Sequence, residues 1–127
     1  MPFVRDAVAR RGSFNVIHLA SVRKIDFFVA GADPFTCEEM TRRVFITLDG
    51  DSPVQLWVAS PEDIILQKLR WYANGGRVSD RQWRDVLGVL KVQGTRLDQS
   101  YLATWAERLD LADLLRDALR SSGLAPA

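Results

Sequence analysis

Residues 54–76 read VQLWVASPEDIILQKLRWYANGG, and the fold turns on a change inside this stretch. VQLWV is aliphatic and aromatic with one polar residue, the composition of a short strand. From Ser60 onward the period lengthens. Ser60 stands where a helix N-cap belongs, Pro61 takes the first helical position, and Asp63 falls three residues after the cap, a capping-box-like spacing. Ile65, Leu69 and Tyr72 recur at i, i+4 and i+7, and Gly75-Gly76 supplies a stop. Strand patterning ends at residue 59, and helical patterning begins at residue 60.

Downstream the same device repeats. SDRQWRDVLGVLKVQG (79–94) has Ser79 as cap, Gln82 three residues on, and Gly94 as stop, with Trp83, Val86, Leu87 and Leu90 as its apolar stripe. LDQSYLATWAERL (97–109) and DLADLLRDALRSSG (110–123) read as two further amphipathic helices, capped by Asp98 and Asp110. Upstream, FNVIHL (14–19) and KIDFFV (24–29) are β-rich runs with a short polar break, an antiparallel hairpin. VFITL (44–48) and VQLWV (54–58) flank the turn-forming DGDSP, a second hairpin. FVRDAVARRG (3–12) has helical spacing, and FTCEEMTRR (35–43) is one or two helical turns. The sum is an α+β chain, with a small mixed or antiparallel sheet from two hairpins followed by a four-helix tail. We expect a single domain over 1–127: helix and hairpins over 1–59, helical tail over 60–122, and a disordered tail over 123–127. Two hairpins make a thin sheet.

Bulk composition narrows the function classes. The 127 residues are 47% hydrophobic and 26% charged, with net charge +1. That suits one soluble core and excludes a global field that would recruit nucleic acid or an anionic membrane. One cysteine, Cys37, permits no internal disulfide and no cysteine-based zinc site. A reducing, cytoplasmic setting fits this usage. No apolar run approaches 18 residues and no signal-peptide pattern is present.

The chemistry-bearing candidates are few. Asp26 lies in a strand between apolar neighbours. Lys24, Asp26 and Phe28 share one face. If that face is wet, Asp26 is a solvated strand residue. If it is partly buried, the carboxylate needs compensation from Lys24 or from a divalent metal. Asp49 and Asp51, in LDGD, form an acidic pair, but the intervening Gly50 and the following Ser52-Pro53 favour a hairpin turn. Lys68 is offset from its helix's apolar stripe, near Ile64 and Trp71, where a lysine usually snorkels. Asp85 sits opposite Trp83 and Leu87 on the helical wheel. Its local partner is Arg81 at i−4, and the sharper alternative is an interhelical contact with Lys68. His18, the only histidine, reads as a core-edge residue. Arg77, Arg81, Arg84, Lys91 and Arg96 make a basic segment without interleaved exposed aromatics, which is weak support for nucleic-acid binding.

Taken together, SFNVIHL, KIDFFV, WVASPEDIILQKLRWY, SDRQWRDVLGVLKVQG and LDQSYLATWAERLDLADLL resemble a bacterial family of nucleotidyltransferase-fold proteins. These belong to the DNA polymerase β-like superfamily and are related to minimal nucleotidyltransferases and AbiEii-type toxins. The resemblance covers about residues 10 to 122. It implies Mg²⁺-dependent transfer of a nucleoside monophosphate from a nucleoside triphosphate to an acceptor. It gives Asp26 the role of a metal-binding carboxylate on a late strand, Lys68 that of a helix lysine near the nucleotide, and Asp85 that of the acid on the next helix. The family's glycine-serine motif and D-x-D strand have no counterpart before residue 23. RGS at 11–13 is followed by no D-x-D strand, and LDGD comes in the wrong order. The chain therefore looks like the carboxy-terminal part of the family's domain, an incomplete nucleotidyltransferase-like fold. It is expected to be inactive in isolation and to hold no resident Mg²⁺ or NTP, with Lys68 as the cofactor-binding residue and nucleotide among its candidate partners. A second expectation is a non-catalytic interaction module, a toxin–antitoxin-like partner or homodimer that assembles through an open sheet edge.

Overall fold

The computed structural model describes residues 2–10, 13–18, 20, 21 and 23–124. It is α+β, and its elements follow the order the sequence implies. It divides into two compact units, Met1–Glu38 and Glu39–Ala127. The division falls inside a helix, not at residue 60 where the sequence pattern changes.

In the first unit, α1 (Pro2–Arg10) packs against β1 (Ser13–His18), which pairs antiparallel with β2 (Arg23–Phe28). The register sets Asn15 opposite Asp26 and Val16 opposite Ile25. Among the described side chains of α1, Ala7 is buried. Asp6 and Arg10 form an exposed i,i+4 pair at 2.6 Å on its outer side, the kind of contact that adds a few tenths of a kcal/mol to a helix, roughly 0.3–0.5. α2 (Pro34–Thr41) starts where GADP ends. Asp33 accepts from the Thr36 backbone N–H at 3.3 Å and from the Thr36 hydroxyl at 2.7 Å. With Pro34 at the first helical position, that is the N-terminal chemistry a short helix needs.

In the second unit, β3 (Val44–Leu48) and β4 (Val54–Val58) form a hairpin with an unbroken one-to-one register, Val44 opposite Val58 through Leu48 opposite Val54. The expected single thin sheet is not what forms. Among the described residues each hairpin is its own two-stranded antiparallel sheet. Asp49 and Asp51 lie on the exposed turn between β3 and β4, the turn reading of LDGD.

The core of this unit is helical. α3 (Pro61–Asn74) packs against α4 (Asp80–Gln93) and α5 (Gln99–Arg108), and α6 (Ala112–Ser121) closes on α4 and α5. Ile65, Leu66 and Leu69 of α3, Val86 and Leu90 of α4, and Leu102 and Ala106 of α5 are all fully buried. Each large member contributes about 1.5–3 kcal/mol by leaving water. The caps follow the sequence at three of four helices. Ser60, Ser79 and Asp98 accept from the backbone N–H of Asp63, Gln82 and Tyr101. Asp110 is the exception. Leu111 is the N-cap of α6 and no side chain caps it, while Asp110 takes a left-handed conformation at φ 59°. Asp110 belongs instead to the turn that ends α5: its N–H donates to the Glu107 carbonyl at 3.1 Å and the Leu111 N–H to the Ala106 carbonyl at 2.7 Å. The chain stays ordered past α6, since Gly123 and Leu124 donate to Arg120 and Leu119. The rest of the expected tail, residues 125–127, lies outside the described residues.

Candidate functional site

The site is built on α3, which carries two ionic groups five residues apart. Asp63, in its first turn, is fully buried. Its carboxylate accepts from the Ser60 hydroxyl at 2.8 Å, the Tyr101 hydroxyl at 2.5 Å and the Arg42 guanidinium at 3.3 Å. Arg42 also reaches Glu62 at 3.3 Å and lies 3.7 Å over the Tyr101 ring. A buried carboxylate is tolerable only when charge and lone pairs are met together, and here three side chains from three segments meet them. Ser60 and Asp63 serve each other: the hydroxyl accepts from the Asp63 N–H at 3.2 Å and donates to its carboxylate. The sequence shows only the local half of this, the cap spacing. Arg42 and Tyr101 lie 21 and 38 residues away, so no short-range signal could name them.

One and a half turns further on, Lys68 donates to Asp85 of α4 at 3.1 Å. The pair is part-exposed, with 27% of the lysine and 44% of the aspartate side chain open to water. The interhelical alternative weighed for Asp85 is thus the one that forms. It follows from close α3–α4 packing, with Ile65, Leu69, Val86 and Leu90 buried and the two charges left at the margin.

Lys68 also borders a cavity of about 210 Å³ whose lining includes Glu39, Ile64, Gln67 and Trp71. Trp71 shows 37% of its surface. A lysine ammonium is a compact point charge suited to phosphate. An indole face one turn along the same helix suits a flat ring. Two other cavities are larger and lack this pairing. One of about 290 Å³ between α5 and α6 is lined largely by alanine and leucine, with Glu107 and Arg116. One of about 260 Å³ beside Pro61, Ile64 and Val89 has no charged lining.

The remaining candidates separate from this site. Asp26 has its backbone in β2 opposite Asn15; its side chain, like those of Lys24 and His18, lies outside what the structure describes. The described acids do not make a two-metal set. Asp63 is saturated by Arg42, Ser60 and Tyr101, Asp85 faces Lys68, and Asp49 and Asp51 stand on an exposed turn. Of the basic residues, Arg77 pairs with Asp113 at 3.0 Å, and Arg96 donates to the carbonyls of Val92 and Gln93. Among the described residues no helix is long and apolar enough to cross a membrane. No family model, curated protein or solved structure matches this chain.

Proposed function

We propose that this chain is a nucleotidyltransferase-like domain that contacts nucleotide through Lys68 and does not by itself complete the transfer. The parent reaction moves a nucleoside monophosphate from a nucleoside triphosphate to an acceptor with Mg²⁺. The observation that carries the reading is Lys68 held at 3.1 Å by Asp85 beside a cavity that also has Trp71 in its wall. The aspartate steadies the ammonium across the helix pair and competes with phosphate for it. Bound phosphate takes over part of that contact. Asp26 remains the candidate metal carboxylate of the reaction. Fixing both the attacking and leaving oxygens takes a set of carboxylates around two metals, and one strand aspartate is not such a set.

Titrating the ¹⁵N-labelled chain with ATP, with and without Mg²⁺, tests this. Shifts at the Lys68, Trp71 and Asp85 resonances are expected only at millimolar nucleotide, about −4 kcal/mol of binding, and they should be unchanged by Mg²⁺. Lys68→Met should abolish them. No transfer of labelled nucleoside monophosphate is expected. Silence up to about 10 mM, weaker than any specific phosphate contact, sinks the nucleotide reading, as do shifts that survive Lys68→Met. Mg²⁺-dependent transfer by the chain sinks the claim of inactivity.

A further inference from the structure

Among the described residues, α3–α6 make at most sparse backbone contacts with the β3–β4 hairpin. An isolated two-stranded hairpin is marginal in water, and three or more strands are needed for independent stability. Val44, Phe45 and Leu48 of β3 are 42%, 50% and 53% exposed. β3 lacks three of the devices that blunt a sheet edge. Its five residues, VFITL, contain no charge and no proline, and its pairing with β4 has no bulge.

The charges at the two ends of β3 say what it accepts. Arg43 immediately precedes the strand and Asp49 immediately follows it, both exposed. Arg43 is anchored by its bond to the Met40 carbonyl at 2.6 Å and lies 4.7 Å over Trp57. Asp49 has no ion-pair partner among the described residues. A strand with a cation at its start and an anion at its end complements its own antiparallel copy. We propose that β3 pairs antiparallel with β3 of a second copy of this chain, two-fold about Ile46.

The register follows from the symmetry, because a two-fold contact pairs i with j and j with i. Ile46 meets the partner's Ile46, Val44 meets the partner's Leu48, and Phe45 meets the partner's Thr47. One step further, Arg43 stands opposite the partner's Asp49, and the same pair recurs at the other end. Opposite charges directly across a strand pair stabilise it, and like charges destabilise it. The β4 edge offers no equivalent. Centred on Leu56, it sets Pro53 opposite the partner's Ala59, with no charge at either end and a proline that cannot donate. The β3 pairing makes a four-stranded sheet. Val44, Ile46 and Leu48 with Val54, Leu56 and Val58, which share one face of each hairpin, become one continuous aliphatic surface across both copies. A five-residue strand pair sits at the small end of specific interfaces, below about 1,200 Å² in total, so the dimer is a weak one.

Sedimentation equilibrium of the full chain should show a reversible monomer–dimer equilibrium between about 5 and 500 µM, the range a contact of that size supports. Asp49→Arg and Arg43→Asp should each weaken it about fivefold or more by setting like charges opposite. The double swap should restore it to within about twofold, with far-UV circular dichroism confirming that each variant is folded. In a Cys37→Ser background, Ile46→Cys should give an oxidised covalent dimer, because a residue on the two-fold axis meets itself at disulfide distance. A strict monomer across the range overturns the proposal. So does a dimer indifferent to the charge swaps, or one in which Ile46→Cys does not cross-link. None of these readouts involves nucleotide.

Discussion

Asp63 and Lys68 lie on the same helix five residues apart, yet their surroundings are opposite. Asp63 is closed off from water and holds Ser60, Arg42 and Tyr101, side chains drawn from three parts of the chain. Lys68 is part-open and shares one contact with one aspartate. The first group is spent on the fold: both carboxylate oxygens already accept from protein side chains. The second is held loosely enough to exchange its partner. A charge that carries function needs a partner it can leave, and burial removes that option.

The largest expected effect tests the buried half of this comparison. Asp63→Asn keeps the shape and removes the charge, leaving the Arg42 guanidinium with Glu62 alone and weakening the hydrogen bonds from Ser60 and Tyr101. Losing hydrogen bonds to a charged group costs about 1.5–3 kcal/mol, read as the shift in urea midpoint at unchanged slope. A change within about 0.5 kcal/mol, the range of an ordinary surface substitution, breaks the distinction.

The exposed half calls for a double-mutant cycle. Lys68→Ala, Asp85→Ala and the double variant should give a coupling free energy of about 0.2–1 kcal/mol, the range of exposed ion pairs. Lys68 should therefore be nearly dispensable for stability while it governs nucleotide contact. A coupling near 3 kcal/mol, the scale of a buried pair, would place Lys68 in the same class as Asp63.

The smallest effect sharpens the comparison at a third, fully exposed pair. The Arg77 guanidinium, bonded to Asp113 at 3.0 Å, holds that carboxyl below its ordinary value, helped by the Leu114 backbone N–H and opposed by slight desolvation. A carboxyl with a depressed folded-state pKa adds stability above its unfolded value and loses it as pH falls through the folded one. The contribution is therefore intact at neutral pH and fades only in acid, below the ordinary aspartate range. In Asp113→Asn the difference from the parent should vanish at low pH. A variant whose deficit persists unchanged under those conditions owes it to packing.

Much of the helical half was legible because its signals are local. Ser60, Ser79 and Asp98 cap helices within three residues of themselves, and Gly75, Gly76 and Gly94 end them nearby. Asp110 misled because its spacing imitated a cap while it belongs to the turn that ends α5. The two hairpins were legible from alternation and turn residues. That they form separate sheets was not, because strand periodicity specifies a face and says nothing about which edge finds a neighbour. Lys68 was legible as an edge lysine, and Asp85 as a partner for either Arg81 or Lys68. Their contact depended on the packing of α3 on α4.

By itself the sequence determined the α+β order of elements, the start and stop of most helices, the hairpin turn at LDGD and the absence of an internal disulfide. Each rests on interactions within a few residues, whose energies do not wait for the rest of the chain. Only the tertiary structure decided that Asp63 is a buried hub, that Asp85 answers Lys68 rather than Arg81, and that β3 pairs with β4 alone among the described residues. Those outcomes depend on residues 17 to 38 positions apart meeting, and such meetings are selected by the fit of whole helices against one core.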